Sequence, residues 1–554
     1  MMKKSLLLLL ILISTILIQA QDVYKFAVEF TDKDHTPYSI DHPEAFLSQR
    51  AIDRRIKYYI DYNESDLPID PAYISNVLSA TNDAQLIIQV KWINTIIISL
   101  EDPDHIANIN ALLEVKKTEM VFNPDLKTKH LNKFNNEMNT DFLMKSSRGI
   151  SSYDSAFYGG SWTQIHQLKG ESLHEQNLKG EGMVIAVLDA GFISADTAKV
   201  FDNLWDNGRI LGTSNMVEPE GTVYANHGHG TFVLSIMGGY LPGEHVGTAP
   251  EASYWLIRTE DVYSENIIEE YNWVAGAAFA DSVGADILNT SLGYIDFDDS
   301  SFDHTYDDLD GNTTIITKAA NLAYKKGMLV VNSAGNSGHL AWRYLGAPAD
   351  GYNVFTLGSV DGHGVIAYSS SHGFPWSDDV KPNVVARGSG AYGYSIGSSS
   401  IAQSSGTSFS CPVVSGMSAC LWSANPSLSP YWIKEAIEKS ADRLLQPDTL
   451  YGYGMPDFQL ALSILGVNDD LNTDKNIQIT PNPAKNTLFV GLKANKNTNV
   501  ELLIYNLQGQ LVKRQNIKYY NSKIPLNISS LSSGMYILEV KSDELSETIK
   551  FTKI

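Results

Sequence analysis

Five short, largely apolar stretches, Val184–Leu188, Ser253–Ile257, Ile287–Asn289, Leu329–Val331 and Val354–Leu357, punctuate the middle of this 554-residue chain as candidate strands, the first of them rich in β-branched residues. A continuous apolar run of strand length fits a strand buried on both faces, as in a parallel sheet covered by helices on each side. Helical stretches at Glu265–Val283 and Thr314–Gly327 supply the connections. Strand, helix, strand in alternation predicts an α/β fold with a doubly wound, mostly parallel sheet and right-handed crossovers. Hydrophobic residues make up 43% of the chain, ample for such a core.

Several of these runs end on polar residues able to do chemistry. VIAVLDAGF (Val184–Phe192) closes on Asp189, a carboxylate at the carboxyl end of a strand, where open α/β sheets hold their sites. NHGHGTFVLS (Asn226–Ser235) places His227 and His229 among glycines before Phe232, Val233, Ile236 and Met237 take up helical spacing. VVNSAGNSG (Val330–Gly338) breaks into small residues and Asn336, whose amide is a candidate donor. SGTSFSCP (Ser405–Pro412) predicts a tight turn at Gly406 that stands Ser408 exposed at the first turn of a helix. Val413, Met417, Cys420 and Leu421 continue that helix at core-facing spacing, and Pro412 fits near its start. The free N–H groups of a helix start suit the negative charge of a carbonyl oxygen under attack. Alone, the segment also fits an ordinary loop-helix junction.

The chain order Asp189, His229, Ser408 discriminates, because the unrelated serine hydrolase arrangements differ in this order. With these motifs the chain resembles the subtilisin-like serine proteases (subtilases, peptidase family S8) over about Ser161 to Leu465. The resemblance implies a serine endopeptidase. Ser408 would be its nucleophile, His229 its general base, Asp189 the group orienting the imidazole, and Asn336 an oxyanion donor beside the backbone N–H of Ser408. It further implies that Ser291, Leu292 and Gly293 pair with an extended peptide, with Ser333, Ala334 and Gly335 forming the other wall of the first specificity pocket.

Two departures stand out: Phe232 replaces the usual second histidine of His-Gly-Thr-His-Val, and Phe409-Ser410 replace the usual methionine and alanine after the nucleophile. Only His229 is followed by Gly-Thr, so His227 reads as a solvated loop residue or a rim contact. The two cysteines, Cys411 and Cys420, lie nine residues apart on one predicted helix, roughly 13 Å at 1.5 Å per residue, too far for a disulfide. They are expected reduced and buried. The acidic stretch YDDLDG (Tyr306–Gly311) lacks calcium-loop spacing and reads as a solvated turn. No cofactor is expected to be required and no metal ligand is assigned. Structural calcium, which subtilases often bind, stays open without a location.

A formal charge of −22 argues against nucleic acid as a partner and against adhesion to acidic lipid. Residues 1–20 read as a signal peptide: Lys3 and Lys4, an apolar run, then Ile18-Gln19-Ala20. Residues 21–150 read as a small α+β domain with a processing stretch from Lys127 to Ser152, resembling a subtilase propeptide; a permanent accessory domain is the alternative. Residues 151–465 form the catalytic domain and 466–476 an Asp/Asn-rich linker. Residues 477–554, strand-rich with turns at Gln508-Gly509 and Ser533-Gly534, predict a β-sandwich. Its Pro-Asn-Pro start, IYNLQGQLV and LSSGMYILEV segments resemble the sorting domain of type IX secretion substrates, with a carbohydrate-binding or adhesive module as the alternative. The expected partners are peptide substrates, the protein's own propeptide and the outer-membrane type IX machinery. The mature protein is expected to be a monomer, secreted or on the cell surface after crossing the periplasm of a Gram-negative bacterium. The competing classes are a non-catalytic binding protein on the same fold and an esterase or transpeptidase.

Overall fold

The computed structural model describes residues 23–126, 128, 134, 141–142, 153–467, 477–480, 484, 486–492, 498–506, 509–519, 524–542 and 546–553. The predicted signal peptide and most of the predicted processing stretch and linker lie outside them. The central sheet has seven strands in the order Val384–Arg387, Phe355–Val360, Leu329–Ser333, Ile287–Thr290, Val184–Asp189, Ser253–Arg258 and Ile210–Asn215. Every neighbouring pair is parallel. From Val184–Asp189 the chain runs to the edge strand Ile210–Asn215, returns to Ser253–Arg258 between them, then crosses to the other side and builds outward through Ile287–Thr290, Leu329–Ser333, Phe355–Val360 and Val384–Arg387. Val184–Asp189 is therefore the topological switch point, and Asp189 lies at its carboxyl end.

All five predicted strands are present. The two edge strands, Ile210–Asn215 and Val384–Arg387, are not among the predicted ones: the first is half exposed and broken by Gly212, and the second has only four residues. Along Val184–Asp189 alternate side chains feed different cores. Ile185 and Val187 join Phe232, Val413 and Met417 of the helices His229–Gly238 and Thr407–Ser423. Val184, Ala186 and Leu188 join Val274 and Ala320 of Ile268–Val283 and Ile315–Lys325. Thr314 caps the latter by accepting from the Thr317 N–H, and the former ends on left-handed Gly284.

The N-terminal domain is a four-stranded antiparallel sheet, ordered Gln85–Val90, Thr95–Leu100, Tyr24–Phe30, Val115–Phe122. Its helix Gln49–Tyr58 begins where the Ser48 hydroxyl accepts from the Ala51 N–H, with Pro43–Ala45 a separate turn. TIIISL (Thr95–Leu100) is buried at all six positions because both faces are covered. Ile96, Ile98 and Leu100 fill the domain's own core. Ile97, with Ala27, Ile88 and Val90, packs into the catalytic core that holds Tyr271 and Val274.

The helix Gln49–Tyr58 also drives Arg54 and Arg55, 2% and 1% exposed, into the catalytic domain. Arg54 pairs with Asp281 and donates to the Ala285 carbonyl. Arg55 meets Asp281 at 2.8 Å, Asp66 at 3.0 Å and the Lys326 carbonyl at 2.5 Å, and Lys326 reaches Asp66 at 2.5 Å. Buried charges are tolerated only when paired in this way. The cations also sit at the C-terminal ends of Ile268–Val283 and Ile315–Lys325, where the helix dipole favours them.

The C-terminal region is all-β: a three-stranded sheet (Ile477–Thr480, Thr487–Leu492, Ile524–Asn527) and a four-stranded one (Leu511–Tyr519, Thr498–Asn506, Gly534–Lys541, Ser546–Lys553). Leu488, Val490 and Leu526 of the first share a core with Leu502, Leu538 and Phe551 of the second. Helix Phe458–Val467 extends two residues into the predicted linker. Among the described residues, no helix is long and apolar enough to cross a membrane.

Candidate active site

Asp189 is fully buried, and its Oδ1 accepts from the Ala190 N–H at 2.7 Å and faces His229 Nδ1 at 2.8 Å. A carboxylate against Nδ1 fixes the proton there and makes Nε2 the basic nitrogen. His229 opens the helix His229–Gly238. Gly230 beside it is required by close approach: a Cβ there would lie 2.6 Å from the Gly191 carbonyl oxygen and 3.0 Å from Asp189 Cβ.

His227 is half-buried, not solvated. Its Nδ1 accepts the backbone N–H of His229 at 3.2 Å, and desolvation together with the neighbouring imidazole pushes its pKa down to about 4. It is thus a neutral acceptor that anchors the helix start. Phe134, from the N-terminal region, stacks on the His229 ring with centroids 4.3 Å apart and faces His227 at 5.4 Å. Further on, Asp141–Phe142 pairs antiparallel with Ser400–Ser404, the strand leading to Ser408.

Ser408 is the second residue of the helix Thr407–Ser423 and is only 3% exposed. Gly406 before it adopts φ 163° and ψ 157°, extended backbone open to any residue, so the predicted tight turn is absent. Phe409 brings the helix start against His229, their rings 5.7 Å apart. Asn336 Oδ1 accepts from the Thr407 N–H at 2.9 Å and its hydroxyl at 3.2 Å. Thr407 Oγ1 in turn accepts from the Gly335 N–H at 3.1 Å, and Gly335 sits at φ +99°, a conformation suited to glycine. The asparagine oxygen is thereby committed to the start of the helix Thr407–Ser423, and its NH₂ is the group of donor character.

Ser291, Leu292 and Gly293 continue from the strand Ile287–Thr290. Ser291 and Ser408 are linked twice: Ser291 Oγ donates to the Ser408 carbonyl at 2.7 Å, and Ser408 Oγ donates to the Ser291 carbonyl at 3.3 Å. Asn332 Nδ2 donates to the Leu292 carbonyl at 3.0 Å and the Ser333 carbonyl at 2.8 Å, fastening this segment to Ser333, Ala334 and Gly335. The predicted residues therefore converge on the carboxyl edge of the sheet. Sequence reasoning missed Phe134, Thr407 and Asn332. Thr407 was within sight in the Gly-Thr-Ser run, whereas Phe134 carries no local signal.

Both cysteines are free and buried. Cys411 Sγ lies among Asn289 Oδ1, the Thr290 carbonyl and the Val331 carbonyl, and desolvation pushes its pKa up to about 12, unsuited to a nucleophile. In Tyr306–Gly311 two of the three acids serve turns: Asp308 accepts from Thr305, and Asp310 accepts from Asn312 and Thr313.

The sequence profile of the subtilase family, Peptidase S8, matches residues 180–454. The Peptidase S8 propeptide domain of Bacteroidota matches 25–139, and the secretion system C-terminal sorting domain matches 478–553. The chain belongs to the subtilase family of serine endopeptidases. It is similar to serine protease AprX of Bacillus subtilis (strain 168), with 27% identity over 321 residues, 53% of this chain and 69% of that protein. Subtilisin DY of Bacillus licheniformis is 25% identical over 299 residues (54% and 97%), and thermitase of Thermoactinomyces vulgaris is 29% identical over 283 (50% and 87%). The protein is thus a subtilisin-like serine protease built with a propeptide and a type IX sorting domain, which marks it for secretion by that pathway.

Proposed function

We propose that the protease hydrolyses peptide bonds through an acyl-enzyme on Ser408. The fully buried contact between Asp189 Oδ1 and His229 Nδ1, 2.8 Å, carries this reading. It leaves Nε2 to take the serine proton and return it to the leaving amine. The oxyanion is held by the Ser408 N–H and the Asn336 NH₂, while the substrate backbone pairs with Ser291 to Gly293. The catalytic steps need no cofactor. Residues 21–150 act as the propeptide, and Phe134 over the imidazole supports a latent precursor. The 477–554 sandwich is read by the outer-membrane export machinery, and the mature enzyme works as a monomer outside the cell or on its surface.

Ser408→Ala is expected to lower kcat by on the order of 10⁶-fold and to abolish labelling by a fluorophosphonate. Peptidase activity near that of wild type in this variant would overturn the assignment. Asn336→Ala is expected to lower kcat by roughly 10²–10³-fold with little change in KM, read in steady-state peptide cleavage. A variant as active as wild type would remove Asn336 from the oxyanion site.

A further inference from the structure

Pro412 is the sixth residue of the helix Thr407–Ser423 and lies inside it. In an α-helix the N–H of residue 412 would bond the carbonyl of residue 408, and proline has no N–H to give. The carbonyl left without its helical partner belongs to Ser408, whose residue is 3% exposed. A buried carbonyl without a donor costs about 1–3 kcal/mol. Ser291 Oγ fills the vacancy at 2.7 Å, from a different strand and 117 residues away in sequence. The Ser408 hydroxyl leans back on the carbonyl of the same residue at 3.3 Å. The two serines thus hold each other at backbone and side chain.

We infer that the Ser291 hydroxyl is a positioning residue for the nucleophile: it replaces the donor that Pro412 removes and so sets the first helical turn, including the Ser408 N–H and Oγ, against the substrate strand. The role follows from three facts together. The orphaned carbonyl is on the nucleophile itself. Its substitute donor comes from Ser291, in the segment proposed above to pair with the substrate. The hydroxyl is committed inward, so substrate pairing on this strand falls to backbone groups. Loss of the hydroxyl therefore acts on the chemical step and spares substrate binding. The inference rests on Ser408 being the nucleophile.

The test is a rescue. Ser291→Ala in the full-length chain is expected to lower kcat at least tenfold with KM changed less than threefold, and to slow fluorophosphonate labelling of Ser408 by a similar factor. Rates are normalised by active-site titration. Pro412→Ala restores an N–H at the helical position, so the double variant Ser291→Ala/Pro412→Ala is expected to recover kcat to within threefold of Pro412→Ala alone. A Ser291→Ala enzyme with kcat within twofold of wild type, or a double variant as slow as Ser291→Ala, overturns the inference. If Ser291→Ala does not fold, a folded and active double variant supports it, and a double variant that also fails to fold overturns it. Ser408→Ala separates the premises: activity retained there defeats the nucleophile assignment, whereas an inactive Ser408→Ala beside a normal Ser291→Ala defeats the positioning role alone.

Discussion

The two flanking domains are attached to the protease by different physics. The N-terminal domain lends Ala27, Ile88, Val90 and Ile97 of its sheet to a catalytic-domain core, and its helix Gln49–Tyr58 buries Arg54 and Arg55 against Asp281 of the catalytic domain. The C-terminal sandwich keeps a core made of its own residues. A domain that shares a core folds with its neighbour and is released only at the cost of exposing that core. A domain with a closed core is modular. This contrast suits a propeptide at one end and a sorting signal at the other.

Among single substitutions, the largest effect that would break this contrast is expected at the buried charges. Arg55→Met leaves Asp66 and Asp281 short of a cation and should destabilise the Ser408→Ala precursor by about 3–5 kcal/mol in denaturant unfolding. Losses confined to the N-terminal domain would mean that the two units unfold separately. In the sandwich, Leu538→Ala, at a fully buried position, should cost about 2–5 kcal/mol in the sandwich transition. Peptidase activity and the catalytic-domain transition should stay unchanged, and a shift in either would deny its independence.

Acid should sharpen the difference further. Desolvation lowers His174 and His245 of the catalytic domain to about 4, and both are buried. In the unfolded chain they titrate near 6.5, so as pH falls from about 6.5 to 4 the unfolded state takes up protons first. Stability present above pH 6.5 is lost across that window, on the order of 3 kcal/mol per ring. Asp350, raised by desolvation to about 6, opposes this between about 4 and 6 but is a single group. Residues 466–554 contain no histidine. Thermal scans at pH 7 and 4.5 should therefore show the catalytic domain losing much more than the sandwich, and equal losses would contradict the assignment to these rings. The smallest effect is expected on the sandwich surface. Glu539→Gln removes the partly exposed ion pair with Lys541 at 2.9 Å, leaves an amide oxygen able to accept from the Tyr505 hydroxyl, and should shift stability by less than about 1 kcal/mol.

The sequence made legible what local pattern encodes. Runs such as Val184–Leu188 declared a sheet buried on both faces, and the small-residue motifs at their ends pointed to Asp189, His229, Asn336 and Ser408 as the candidate site residues. The rest depends on contacts across the chain. Gly406 looks like a turn, yet its backbone is extended. His227 looks like a loop residue until its Nδ1 is seen to accept from His229. Pro412 reads as a helix-start residue, and only the fold reveals that its missing N–H is answered by Ser291. Ile210–Asn215 escaped because an edge strand needs no apolar run.

The switch-point strand also links these levels. Val184–Asp189 is packed from above and below by two separate cores, and it ends on the carboxylate that faces His229. It behaves as a beam loaded from both sides: a bulkier side chain in either core pushes on the same end. Drift in one half of the catalytic domain must then be matched in the other. Substitutions far apart, on opposite faces of the sheet, should be inherited in compensating sets.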